Sequence, residues 1–117
     1  MNKRRCLLFL LLTGLLSTAA WSQSKTDSLW NVWNDPTAAD TSRLKAIQRL
    51  TWPMLNTNLD SAYILANLQL DFAKAKNNQK WIGKACYNIA SYHYLKSEYP
   101  QSIAFYNQSL EIRKKTG

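Results

Sequence analysis

From residue 41 onward the apolar positions recur at three- and four-residue intervals, the spacing that puts side chains on one face of an α-helix. Leu44, Ile47, Leu50, Met54 and Leu55 form the first such stripe. Ala62, Leu65, Ala66, Phe72 and Ala73 form the second, and Ile82, Ala85, Ile89, Ala90 and His93 the third. Ile103, Tyr106 and Leu110 mark the expected inner face of a fourth. The punctuation agrees with this division. Asp40-Thr41-Ser42 offers an N-cap to the first helix, Asn58 and Asp60 open the second, and Asn77-Asn78 separates the second from the third. The fourth is expected to begin at Pro100, which suits a first helical position because its missing N–H would have no helical partner there. Pro53 falls within the first pattern and is expected to kink or end it. A shorter segment, Ser28 to Trp33, precedes these and stops at Asn34-Asp35-Pro36. Strand-like alternation is scarce, so the pattern predicts an all-α chain.

The helices form two copies of one pair. Sliding the chain by 40 residues lays Ala46 on Cys86, Ile47 on Tyr87, Leu50 on Ala90 and Trp52 on Tyr92. Beyond the connection, Leu55 falls on Leu95, Ala62 on Ser102, Ala66 on Tyr106 and Leu70 on Leu110. One helix pair cannot bury its own apolar face, so repeats of this size stack into an α-solenoid of antiparallel pairs.

Within the second copy, Asn88-Ile89-Ala90-Ser91-Tyr92, Tyr99, Ser102-Ile103-Ala104-Phe105-Tyr106 and Ser109-Leu110-Glu111-Ile112 resemble a tetratricopeptide repeat. That family sets a small residue in the first helix, here Ala90, and small residues in the second, here Ser102 and Ser109, with an aromatic, Tyr106, between them. Small side chains let the two helices approach. Residues 83–117 carry the resemblance well and 41–77 carry a degenerate version. Serine replaces the family's usual alanine at 102 and 109, and the period is near 40 where about 34 is usual.

The resemblance implies protein or peptide binding on a concave surface lined by the first helix of each pair. On this chain that surface is Lys84, Tyr87, Asn88, Ser91 and Tyr94, with Gln48 and Thr51 from the degenerate repeat. Lys84 and Asn88 would hold a peptide carboxylate or backbone, and the tyrosines would give rigid contact area. Exported arrays of this spacing are similar to the N-terminal sensory regions of bacterial membrane signalling proteins. The alternative reading is therefore a sensory fragment of a larger histidine kinase or nucleotide cyclase, with its membrane attachment and catalytic part outside this chain. Two repeats leave an apolar flank on the last helix, to be covered by further repeats in a longer chain or by a second copy in a homodimer.

The N-terminus reads differently. Lys3, Arg4 and Arg5 precede a run from Cys6 to Leu16 that is apolar except for Thr13 and Gly14, followed by small residues at 17–20. This is the succession of a secretory signal peptide, residues 1–22, with cleavage before Gln23 or Trp21. A membrane span needs about 20 apolar residues, more than this run supplies. The expected organisation is thus a signal peptide over 1–22, an N-terminal segment with a short helix over 23–40, and helix pairs over 41–77 and 78–117. The location implied is the periplasm or cell envelope.

Export changes the charge argument. The whole chain has fifteen basic and seven acidic residues, net +8; losing Lys3, Arg4 and Arg5 leaves +5. The remaining cations are scattered rather than blocked, which argues against nucleic acid as partner. Arg113-Lys114-Lys115 suits a helix C-terminus, where cations meet the negative end of the helix dipole.

Candidate chemistry is sparse. Cys86 is the one thiol after the leader, so no internal disulfide is expected. Cys86 and His93 are seven residues apart on one helix, roughly 10 Å along its axis, too far for a nucleophile and its base. One His and one Cys make no metal set, and neither a glycine-rich phosphate loop nor a converging carboxylate pair is present. The sequence therefore predicts a binding module with no catalytic residue, metal or cofactor.

Overall fold

The computed structural model describes residues 24–116, which are all-helical and contain no strand. The expected signal peptide lies outside the described residues. The helices are α1 (24–34), α2 (Asp40–Thr57), α3 (Leu59–Ala75), α4 (Gln79–Leu95) and α5 (Tyr99–Thr116). No helix among them is long and apolar enough to cross a membrane.

Local chemistry sets the boundaries. At the end of α1 the Asp35 carboxylate accepts from Thr37 N at 2.9 Å and from Thr37 Oγ1 at 2.6 Å. Those bonds hold its carboxyl below the usual carboxylate range. The Asp40-Thr41-Ser42 cap does not form: Ala39 is the N-cap, without a side-chain bond, and Asp40 is the first helical residue. Asp40 still contributes, because a carboxylate in the first turn faces the positive end of the helix dipole.

Pro53 does not end α2, which continues to Thr57. Leu50 and Leu55 are buried on either side of it, so packing outweighs the one hydrogen bond that a proline removes. Asn58 then serves two helices. Its N–H donates to Met54 O at 2.8 Å, closing α2, and its Oδ1 accepts from Ser61 N at 3.2 Å, opening α3.

Helices α3 and α4 end alike. Asn77 and Ser97 take positive φ, 52° and 59°, and the next N–H in each case donates back to Ala73 O or His93 O. This pattern satisfies carbonyls that a helix end would leave unpaired. Asn tolerates the left-handed conformation through local side-chain bonding. Asn78 Oδ1 accepts from Trp81 N to start α4. In α5 Pro100 occupies the second helical position, one later than expected and still within the first turn.

Each helix from α2 to α5 packs on the next, and α2 also touches α4. Ile47, Leu50 and Leu65 form a cluster covered by Leu29, Trp30 and Trp33 of α1. Leu44, Ala73 and Trp81 form another, and Ala66, Leu70, Ala85, Cys86 and Ile89 a third. Ile82 packs against both of the latter, so α3 and α4 share a continuous interior.

The α4–α5 contact is built from small residues. Ser102 Oγ donates to Ala90 O at 2.9 Å and Ser109 Oγ to Gly83 O at 2.8 Å. Numbers rise along one helix as they fall along the other, so the two run antiparallel. At Gly83 a Cβ would lie 3.2 Å from Ile112 Cγ2, which shows how near α5 comes.

This contact corrects the expected inner face of α5. Ile103 and Leu110 are 58% and 48% exposed; Ser102 and Ser109 are buried, with Phe105 and Ile112 half-buried beside them. Close approach favours small side chains at the contact line, so Ile103 and Leu110 are turned away from it while Ile112 packs over Gly83.

Candidate functional site

Three polar side chains from three helices meet beneath the α2–α4 contact. Asn88 Nδ2 donates to Gln48 Oε1 at 2.8 Å and to Gln69 Oε1 at 2.9 Å, and Gln69 Nε2 donates to Gln48 Oε1 at 2.7 Å. A longer bond of 3.4 Å runs from Gln48 Nε2 to Asn88 Oδ1. Gln69 and Asn88 are fully buried, at 0% and 1% exposure, whereas Gln48 is half-buried and reaches the surface. A buried amide without partners is costly; here each supplies the others.

Above Gln48 and Asn88 lies a cleft of about 580 Å³ lined also by Arg49, Trp52, Pro53, Lys84, Tyr87 and Arg113. Helix α2 brings Gln48, Arg49, Trp52 and Pro53, successive turns of one face. Helix α4 brings Lys84, Tyr87 and Asn88 at spacings of three and four, and α5 brings Arg113 from its last turn. The Trp52 and Tyr87 rings stack at 6.3 Å with planes 22° apart, and both stay substantially exposed. Tyr87 also meets Tyr106 edge-on at 5.3 Å.

The lining contains three cations and no carboxylate. Among the described residues Lys76 pairs with Asp40 and His93 Nδ1 lies 3.4 Å from Glu98 Oε1, and no carboxylate lies against Arg49, Lys84 or Arg113. The Lys84 ammonium lies 5.1 Å from the centre of the Trp81 ring, a cation–π contact that leaves its charge uncompensated. A second cleft of about 440 Å³ adjoins, lined by Lys80, Gly83, Lys84, Ser109, Ile112, Arg113 and Thr116. It shares Lys84 and Arg113 with the first and likewise has no acidic wall.

Of the residues expected on a concave face, four are brought together: Gln48, Lys84, Tyr87 and Asn88. Asn88 is at the floor, buried and bonded to protein amides rather than presented to a ligand. Thr51 is not at the surface either. It is fully buried, and its Oγ1 donates to Ile47 O at 2.7 Å within its own helix. Ser91 and Tyr94 lie outside the cleft lining. The Ser91 hydroxyl donates to Tyr87 O and lies 3.3 Å from Tyr106 OH, while the exposed Tyr94 ring packs edge-on against Tyr99 at 5.8 Å.

Arg49, Trp52, Pro53 and Arg113 were not expected there. On α2 the exposed face is turned by one residue from the expected one, because Thr51 goes inward and Trp52 outward. An indole next to a threonine gives no local signal for that choice. Arg113 is read from sequence as a dipole partner, and only the antiparallel return of α5 carries it to the mouth of the cleft.

Cys86 and His93 occupy separate surroundings. Cys86 is buried, burial pushes its thiol pKa up, and its Sγ lies 3.7 Å from Gln108 Oε1. The His93 ring stacks on Phe105 at 5.7 Å and meets Tyr63 and Tyr92 edge-on, with Nδ1 3.4 Å from Glu98 Oε1. Among the described residues no three His, Cys, Asp or Glu side chains gather as a metal site.

The chain matches no protein-family model, and neither a curated protein nor a solved structure shows significant similarity to it.

Proposed function

We propose that this chain is an exported, tetratricopeptide-like α-solenoid module that recognises a protein or peptide in the cleft between α2 and α4, without chemistry of its own. The observation that carries the reading is the cleft itself, a preformed groove where exposed rings and uncompensated cations meet. Aromatic anchors beside fixed polar groups are what recognition surfaces use to combine affinity with orientation. Two further features support a repeat architecture. Gln48 and Asn88 are 40 residues apart, the period of the internal repetition, and they meet across the two first helices at 2.8 Å. The small-residue contact of Gly83 and Ala90 with Ser109 and Ser102 is the close approach that the resemblance implies. Export is supported by the basic, apolar and small-residue succession of residues 1–22.

Site-specific photocrosslinking tests the binding reading. A benzophenone amino acid in place of Tyr87 should give discrete adducts with envelope proteins, whereas one in place of Ile64, exposed on α3, should give none. Equal adducts at both positions, or adducts at Ile64 alone, would overturn the assignment to the cleft. N-terminal sequencing of envelope material should begin at Trp21 or Gln23; a chain starting at Met1 in the cytoplasm would overturn export.

A further inference from the structure

We infer that the cleft takes an acidic peptide segment, with two or more carboxylates and an aromatic or branched apolar side chain between them; this rests on the groove-binding reading above. The cations come from three helices, Arg49 on α2, Lys84 on α4 and Arg113 on α5, and among the described residues none has a carboxylate against it. Like charges held on one concave surface raise the local potential and attract an anion. Arginine adds a planar fork that matches a carboxylate with two parallel bonds.

Charge alone would admit any anion. A small one would leave the Trp52 and Tyr87 rings uncovered, although they form the apolar part of the same wall. A ligand must therefore carry apolar surface as well as negative charge.

The backbone chemistry of the cleft favours a peptide. Gln48 Nε2 has a second N–H beyond the one directed to Asn88, and it can donate to a peptide carbonyl. An amide donor beside stacked rings and cations suits an extended peptide. The adjoining cleft extends the cationic wall to Lys80, which gives a longer acidic segment room to continue.

Selection of random dodecapeptides displayed on phage against the purified protein tests this, with enriched peptides then measured by fluorescence anisotropy. The enriched set should carry net negative charge with an aromatic or branched residue. Affinity for those peptides should fall by about tenfold or more in the double variant Arg49→Glu/Arg113→Glu, as expected when close charge pairs are removed. The variant Lys74→Glu/Lys96→Glu makes the same change in net charge away from the cleft and should weaken them far less. Arg49→Gln/Arg113→Gln serves as the milder version, and circular dichroism confirms that each variant is folded.

Enriched peptides without an excess of acid, or acidic peptides indifferent to reversal of Arg49 and Arg113, would overturn the anionic assignment. If such peptides are nevertheless lost in Tyr87→Ala, groove binding survives that failure. A selection yielding no binder at all would overturn both. Binding of an oligodeoxythymidine that the reversal abolishes, with acidic peptides failing, would replace peptide by nucleic acid.

Discussion

Ser102 and Ser109 sit where α5 comes nearest to α4, and each hydroxyl donates to a carbonyl across the contact rather than to its own helix. Serine here keeps the small volume that close approach demands and satisfies its own added polarity. Opposite Ser102, Ala90 is fully buried at this contact. Ala90→Leu should therefore overpack the contact and lower stability by about 1–3 kcal/mol in urea unfolding; an unchanged midpoint would place the contact elsewhere. The expectation at Ala90 came from the resemblance to a tetratricopeptide repeat, which sets a small residue there, whereas the 40-residue register lays Leu50 on it. Asn88 was not legible. An asparagine beside Lys84 on a helix looks like a surface residue, and only the arrival of Gln48 and Gln69 from two other helices makes a buried site for it. Asn88→Ala should consequently cost about 1–3 kcal/mol by depriving two glutamines of a shared donor, where an exposed asparagine would cost almost nothing. Urea midpoints of Asn88→Ala and of Lys84→Ala, at the exposed neighbour, separate the two cases directly.

At the scale of elements, α1 packs Leu29, Trp30 and Trp33 on the core, and Arg43 of α2 ties down its end. Arg43 Nε donates to Trp33 O at 2.9 Å, and the guanidinium lies 4.5 Å from the Phe72 ring centre and 5.4 Å from that of Trp33. The arginine thus satisfies an end carbonyl of α1 at the negative pole of its dipole while covering two rings. Arg43→Ala should loosen α1 selectively. Amide exchange over residues 24–34 should accelerate by about tenfold, equivalent to roughly 1.4 kcal/mol, with α4 and α5 protection retained. Uniform acceleration across all helices would mean that α1 is not a separable element. Element existence and type were legible from periodicity, because the buried stripes of α2, α3 and α4 are rows of aliphatic residues. The face of α5 was not legible from periodicity, since its contact line is two serines and Ile103 and Leu110 point away. Replacing Ile103 and Leu110 together by Ser should lower the unfolding free energy by no more than about 1 kcal/mol, because both residues are about half exposed. A loss of several kcal/mol would restore them to the interior.

For the molecule as a whole, the question is whether the two helix pairs are independent units. Their interiors are not. Ala66 and Leu70 of α3 are buried against Ala85, Cys86 and Ile89 of α4, and Ala73 against Trp81, so the two pairs share apolar clusters. The amide triad crosses the same boundary, joining α2, α3 and α4. Two of the three apolar clusters span the boundary, so the pairs are stabilised by that interface as well as by their own contacts. Unfolding should then be a single cooperative transition. In urea, far-UV circular dichroism should coincide with tryptophan fluorescence, which reports Trp33 in the first half and Trp81 in the second. Leu70→Ala, at the boundary, should lower stability by about 2–5 kcal/mol and shift both signals together. A fragment starting at residue 78 should be largely unfolded, because Ala85, Cys86 and Ile89 would lose the α3 side of their cluster. Two separated transitions in the parent, or a helical and cooperative 78–117 fragment, would show instead that the second pair stands alone and that the boundary is only a contact between finished units.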